Sequence, residues 1–357
     1  MKILFISRAY PPVIGGIENQ NYALSVWLNK VAPTDTIANH YGKKFLPIFL
    51  PLATLRALWC ISHYDVLLLG DGVLGIVGRI VKFFFPKKTV VCVIHGLDIT
   101  YKNALYQVVW VKFCLSKLDG LIAVGNETIH QAVIRGIPKE KLVFVPNGVN
   151  TEAHHKSHAR EELEKLLGLS LINKHVLLTS GRLAKRKGVA WFIRNVIPKL
   201  PDNVLYVVAG DGVDKQNILQ AVQETNSSDR VKLLGYVSDE TRDILFNTCD
   251  IFIQPNIKIP GDMEGFGISV IEASSCGIPV IVSNLEGLKD AIHQNENGLL
   301  VEPENAEAFK EAIMNLLSNE EERKALGKRA RMYTKDHFEW DAIARLYVKV
   351  IESFVKK

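Results

Sequence analysis

The chain has 357 residues, 23% charged and 48% hydrophobic, which excludes a disordered or fibrous polymer and makes two globular domains the default. Its five cysteines are odd in number and show no Cys-x-x-Cys spacing, so they are expected as reduced core thiols in a reducing cytosol rather than a disulfide framework. The net charge of +5 is uneven: residues 1–150 carry 16 Lys and Arg against 8 Asp and Glu, and residues 151–357 carry 27 against 30.

In chain order, "MKILFIS" reads as an opening strand, with no apolar h-region and cleavage site to suggest export. Further strand-like runs follow at Val66–Leu69, Thr89–Ile94, Gly120–Val124 and Leu142–Val145. A second series covers Val176–Ser180, Leu205–Ala209, Val231–Leu234, Ile251–Gln254 and Val280–Val282. Helical segments separate them, which predicts two doubly wound α/β domains with parallel sheets. The polar stretch after "VPNGVN" places the boundary near residue 150, with the second sheet starting at His175. The stretch between the first helix and Tyr64 leaves little room for a full second and third strand. No window is expected to span a membrane: Phe45–Ile61 is interrupted by Pro47, Pro51 and Arg56. From Ile343 onward the apolar residues repeat every 3.6 positions, predicting a C-terminal helix.

Several loops follow predicted strands directly. Gly15 and Gly16 form a strand-to-helix turn that reads either as a plain turn or as an approach of backbone amides to a ligand. His95 follows an apolar strand in "VIHGLD"; Asp98 either orients it or starts the next helix. In "SGRLAKRKG", a strand ends at Gly181, and Arg182, Lys185, Arg186 and Lys187 precede a helix. Such a run is either a solvated face or a phosphate-binding loop at the carboxyl edge of a sheet. Gly210 and Gly212 in "GDGVDK" mimic a dinucleotide fingerprint whose third glycine is replaced by Lys215, which disfavours a nucleotide-dependent dehydrogenase. "EGFGISVIE" puts Glu264 and Glu272 eight positions apart, with Gly265 and Gly267 at a helix start where the dipole favours an anion. No Asp-x-Asp occurs, so a diphosphate would be met by cations and helix amides.

Together "PPVIGGIE", "HGLD", "VPNGVN", "GRLAKRKG", "GDG", "EGFGISVIE" and "GIPVI" resemble the retaining glycosyltransferase family 4 across essentially the whole chain. The resemblance implies the GT-B architecture of two facing Rossmann-like domains. Residues 1–150 plus 339–357 would form the acceptor-side domain with a C-terminal crossover helix, and 151–338 the donor-binding domain. It implies a retaining, metal-independent transferase moving a sugar from a UDP- or GDP-linked donor, with no cofactor, to a glycan or lipid-linked hydroxyl in envelope glycan or glycolipid synthesis. Glu272 would hold the donor ribose, and Glu264 the sugar. Arg182 and Lys187 would meet the diphosphate, and His95 would sit near the transferred sugar. Gly15, Gly16, Asn147, Gly181, Gly210, Gly212, Gly265, Phe266, Gly267 and Ile268 would complete the donor site. The rivals are a GT-B epimerase and a non-catalytic partner subunit.

The basic first half also mixes lysine with aromatic and aliphatic residues at 43–59 and 82–88. That mixture suits either an anionic membrane surface or buried helices with solvated lysines. The expectation is a cytoplasmic enzyme peripheral to the cytoplasmic membrane face, with no nucleic-acid partner.

Overall fold

A computed structural model describes residues 1–13, 15–154 and 158–355; Ile14 of the glycine turn lies outside them. The chain divides into two compact units, one of Met1–Gly148, Gly261–Phe266 and Trp340–Lys357, the other of Val149–Pro260 and Gly267–Glu339. The short segment Gly261–Phe266, which the sequence reading places with the second domain, groups with the first.

The first unit is built on a parallel six-stranded sheet in the order β2-β1-β3-β4-β5-β6. Its strands are β1 (Ile3–Ser7), β2 (Thr34–Ala38), β3 (Val66–Leu69), β4 (Thr89–Ile94), β5 (Gly120–Ala123) and β6 (Leu142–Phe144). Its helices are α1 (Gly16–Val31), α2 (Leu46–Cys60), α3 (Gly75–Phe84), α4 (Leu97–Thr100), α5 (Ala104–Tyr106, continuing as a π-helical segment over Gln107–Cys114) and α6 (Asn126–Ile134). β1, β3, β4 and β5 are buried along their whole length. Their runs are therefore continuously apolar rather than alternating, as a sheet covered on both faces requires.

The structure corrects two expectations here. There is room for β2, an edge strand of sequence TDTIA pairing with β1 in parallel. Its exposed Asp35 and Thr36 hide it from a search for apolar runs. The prolines also do not break the segment after it. Pro47 occupies the first turn of α2, where no amide hydrogen bond is lost, and the helix continues through Pro51. With its flanking turns the helical run covers Lys43–His63, and by length and composition it is apolar enough to cross a membrane.

The second unit carries a parallel sheet in the order β12-β11-β10-β7-β8-β9. Its strands are β7 (His175–Ser180), β8 (Val204–Ala209), β9 (Val231–Gly235), β10 (Ile251–Gln254), β11 (Val280–Ser283) and β12 (Leu299–Val301). Its helices are α7 (Thr151–His154), α8 (Arg160–Leu167), α9 (Val189–Asn195), α10 (Lys215–Glu224), α11 (Asp239–Thr248), α12 (Ile268–Ser275), α13 (Leu288–Ala291), α14 (Ala306–Ser318) and α15 (Glu320–Phe338). The last helix, α16 (Trp340–Phe354), returns to the first unit and packs on α1. It buries Ile343, Tyr347, Val350 and Ile351 of the stripe read from the sequence, with Ala344 beside them, while Leu346 stays exposed.

Candidate active site

In the second unit, adjacency of β10, β7 and β8 brings the loops after these three strands together at the carboxyl edge of the sheet. Gly181 donates its amide to the Ala209 carbonyl at 2.9 Å, and Leu183 donates to the Asp211 carbonyl at 3.0 Å. A Cβ on Gly210 would lie 1.9 Å from the Gly181 oxygen, and one on Gly212 would lie 2.3 Å from the Leu183 oxygen. These glycines therefore interlock two loops; "GDG" has a packing reason that needs no ligand. The interlock fixes the backbone of Arg182, whose side chain is exposed. Lys187 is buried on the following turn. The Ile257 amide bonds the Arg186 carbonyl at 2.9 Å, tying this basic loop to the loop after β10.

β10 ends in Gln254, which is fully buried. Its Oε1 accepts a hydrogen bond from the Ser269 hydroxyl at 2.9 Å. Its Nε2 is buried with no hydrogen-bond partner among the described residues. Ser269 lies in the first turn of α12, which follows Gly267 in the left-handed region at φ 96°. The first amides of such a helix have no intrahelical acceptor, and the dipole adds positive potential there. Ile268 opens the helix, and Glu272, half-buried, lies in its second turn. Gln254 was missed from the sequence. Its only signal was a polar residue closing the otherwise apolar strand IFIQ.

In the first unit, His95 sits just past β4 with its Nε2 2.9 Å from the Gly70 carbonyl. A carbonyl only accepts, so Nε2 carries the proton and a neutral ring leaves Nδ1 as the acceptor. Of the two roles open to Asp98, the structure shows the helix start: it lies in the first turn of α4, and among the described residues its carboxylate bonds backbone amides rather than the His95 ring. Its carboxylate accepts from the backbone amides of His95, at 3.0 and 3.1 Å, and of Gly72, at 2.9 Å. Burial pushes the Asp98 carboxyl upward, and the nearby Asp71 adds to this against the opposing pull of the His95 ring and the two amides. Asp71 is itself buried and paired with Arg8 at 2.8 Å. The cluster thus ties the ends of β1, β3 and β4 together and sets where His95 stands.

The segment Gly261–Phe266 lies along this loop. A Cβ on Gly265 would stand 2.5 Å from the His95 oxygen, and Met263 packs against Gly96. Glu264 and Phe266 are buried here. The fold therefore places Glu264 and Gly265 beside the His95 loop, a grouping that the linear spacing to Glu272 did not suggest. An open surface depression of about 560 Å³ in the same unit is lined by Tyr101, Lys102, Gln107, Gln131 and Arg135, among others. Gly15 precedes α1 with φ 168°, ordinary extended backbone, and Gly16 is its exposed first residue. Asn147 is buried on the loop after β6. Among the described residues, no group of three or more His, Cys, Asp or Glu side chains could hold a metal ion.

Residues 14–153 match the family model described as Glycosyltransferase Family 4, and residues 169–333 match that described as Glycosyl transferases group 1. The N,N'-diacetylbacillosaminyl-diphospho-undecaprenol alpha-1,3-N-acetylgalactosaminyltransferase of Campylobacter jejuni is 30% identical over 276 residues, covering 74% of this chain and 70% of that protein. The capsular polysaccharide biosynthesis glycosyltransferase CapM of Staphylococcus aureus is 25% identical over 329 residues, covering 85% of this chain and 83% of that one. Among solved structures, Anabaena Alr3699/HepE in complex with UDP matches with a TM-score of 0.80 at 19% identity, covering 99% of this chain and 100% of that one. At that identity the likeness shows the fold, which is GT-B.

Proposed function

This chain belongs to glycosyltransferase family 4 and is a glycosyltransferase; from that premise we propose that it moves a sugar, with retention and without a metal, from a nucleotide-diphosphate donor to a hydroxyl of a lipid-linked or envelope-glycan acceptor. The observation that carries the donor reading is the buried Gln254 Nε2, unpartnered among the described residues, beside the start of α12, on the sheet edge that also carries the loop of Arg182 and Lys187. Every one of these groups is a cation or an N–H donor, the set that a diphosphate requires.

In the transfer, the bond from the anomeric carbon to the diphosphate oxygen breaks, and the acceptor oxygen bonds that carbon and gives up its proton to the departing diphosphate. Negative charge grows on the departing diphosphate as the bond breaks. Lys187 and the Gln254 amide are buried, so they would stabilise that charge with little reorganisation, and Arg182, exposed on its fixed backbone, would reach toward it. By the family resemblance Glu272, one turn into α12, would hold the ribose hydroxyls, and Glu264 and His95 would serve the sugar. With its Nε2–H directed at the Gly70 carbonyl, His95 would turn Nδ1 toward a sugar hydroxyl.

The acceptor reading rests on the relatives. The Campylobacter enzyme is named for a diphospho-undecaprenol-linked sugar, and the Staphylococcus one for capsular polysaccharide. Lys102 and Arg135, in the surface depression of the first unit, are suited to an acceptor's phosphates. The Anabaena complexes contain UDP or UDP-glucose, and a Mycobacterium tuberculosis relative is named as GDP-mannose-dependent. Thermal denaturation with UDP-, GDP- and ADP-sugars tests the donor. A UDP- or GDP-sugar at about one hundred times its Kd should add roughly 2.7 kcal/mol of stability, a shift of several degrees. If no nucleotide sugar raises the midpoint at millimolar concentration, the donor site is misassigned.

A further inference from the structure

α2 is apolar on two sides, and the fold uses only one of them. Phe49, Ala53, Ala57 and, just beyond its end, Ile61 are buried and join the core of the first unit. A second stripe is left facing outward: Ile48 is 54% exposed, Leu52 56%, Leu55 65% and Trp59 85%. At 100° per residue these four fall within about 60° of the helix circumference. The neighbouring α3 ends in Phe83 and Phe84, both exposed. An all-round apolar helix normally has both faces covered, and exposed patches of this kind mark interaction sites.

The charge around this face selects its occupant. Between Asn39 and Leu118 there are ten Lys and Arg and three carboxylates. Asp71 and Asp98 are buried, which leaves Asp65 as the one exposed carboxylate of that stretch. Lys43 and Lys44 stand at the start of α2, Arg56 lies on it, and Lys87 follows α3, all exposed. Apolar side chains rimmed by cations, with one aromatic ring at the end of the stripe, match the headgroup region of an anionic bilayer. A second copy of the chain would set identical cations against each other across a twofold axis. Crossing the bilayer would pull Phe49, Ala53 and Ala57 out of the core.

We propose that the outward face of α2, with Phe83 and Phe84, docks this protein on an anionic phospholipid surface, α2 lying in the plane of the interface. The proposal deepens the reading of a membrane-borne acceptor by naming the surface that reaches it. It stands on the first unit alone, independent of the donor site.

Co-sedimentation of the whole protein with vesicles tests it. Vesicles of phosphatidylglycerol and phosphatidylcholine should bind the protein at least about tenfold more tightly than phosphatidylcholine alone, and about 0.5 M salt should weaken that binding. Lys43→Glu with Lys44→Glu should weaken it by about fivefold or more for each lost cation. Leu52→Glu with Trp59→Glu should weaken it more than tenfold. Because these side chains are exposed, the melting point and its shift by donor should stay as in the parent. Absent or charge-independent binding of the parent overturns the proposal. So does a dimer, seen by sedimentation equilibrium, that Leu52→Glu abolishes. A donor reading that fails while vesicle binding persists would leave the docking surface in place.

Discussion

Gln254 separates packing from function more cleanly than any other side chain of the site. Its Oε1 is engaged by Ser269, while its Nε2 is buried and, among the described residues, unpartnered beside the start of α12. Leaving such a donor unsatisfied costs about 1–3 kcal/mol, so a structural role alone would not favour it. Gln254→Leu keeps the volume and removes the donor. The melting point without ligand should move by no more than about 2 °C, while donor affinity falls about tenfold or more, as for a hydrogen bond to a charged group. A lower melting point with unchanged affinity would assign Gln254 to the core instead. Lys187→Ala and Arg182→Ala should lower kcat by on the order of 10² to 10³ if these cations stabilise the departing diphosphate. Turnover near the parent level in both single variants would remove them from the reaction. Sequence spacing singled out these two cations as candidates because charge in a strand-end loop is conspicuous. It did not find Gln254, because an amide at the end of an apolar strand looks like any strand terminus until its neighbours are known.

At the scale of elements, α12 is held from behind by α15. The Arg331 guanidinium donates to the Ser275 carbonyl at 2.6 Å, at the negative end of α12. The Gly327 backbone crosses so close that a Cβ there would stand 2.1 Å from the Gly277 oxygen. Alanine in an open helix interior is about 1 kcal/mol better than glycine. Here the clash is with backbone, which cannot swing aside, and the overpacking cost of about 1–3 kcal/mol exceeds that gain. Gly327→Ala should therefore lower the melting point by several degrees, and it should weaken donor binding because α12 carries the anion-facing amides. A higher melting point would mean that α15 is not what positions α12. Gly277 was legible in advance as the stop of α12, since a glycine followed by Ile278 and Pro279 ends a helix locally. Gly327 was not, because its reason for being glycine lies fifty positions away on another helix.

At the scale of the whole molecule, the chain leaves the first unit after Gly148, revisits it at Gly261–Phe266 and returns to it finally at Trp340. The departure and the final return run side by side in the second unit. The Val149 amide donates to the Phe338 carbonyl at 2.8 Å, and the Glu339 carboxylate accepts from both the amide and the hydroxyl of Thr151, at 3.1 and 2.5 Å. Thr151 is fully buried, so Glu339→Ala would leave its hydroxyl without an acceptor, at about 1–3 kcal/mol. Denaturant unfolding should show that loss in the second unit, with Glu339→Gln intermediate; an unchanged midpoint would mean that water replaces the carboxylate.

The sequence by itself determined the class of fold and most strands to within a residue or two, and it singled out the loops proposed to carry the chemistry. Apolar runs, helical periodicity and glycine punctuation are local properties, set by neighbours along the chain. The tertiary structure decided what depends on partners distant in sequence. β2 is a strand because β1 offers it hydrogen bonds, not because TDTIA is apolar. Glu264 stands beside the His95 loop, and Asp98 serves that loop's backbone rather than the histidine ring. The outward stripe of α2 could be told from its buried stripe only once the sheet had claimed one of the two, since both are equally apolar and burial is a property of the assembled fold.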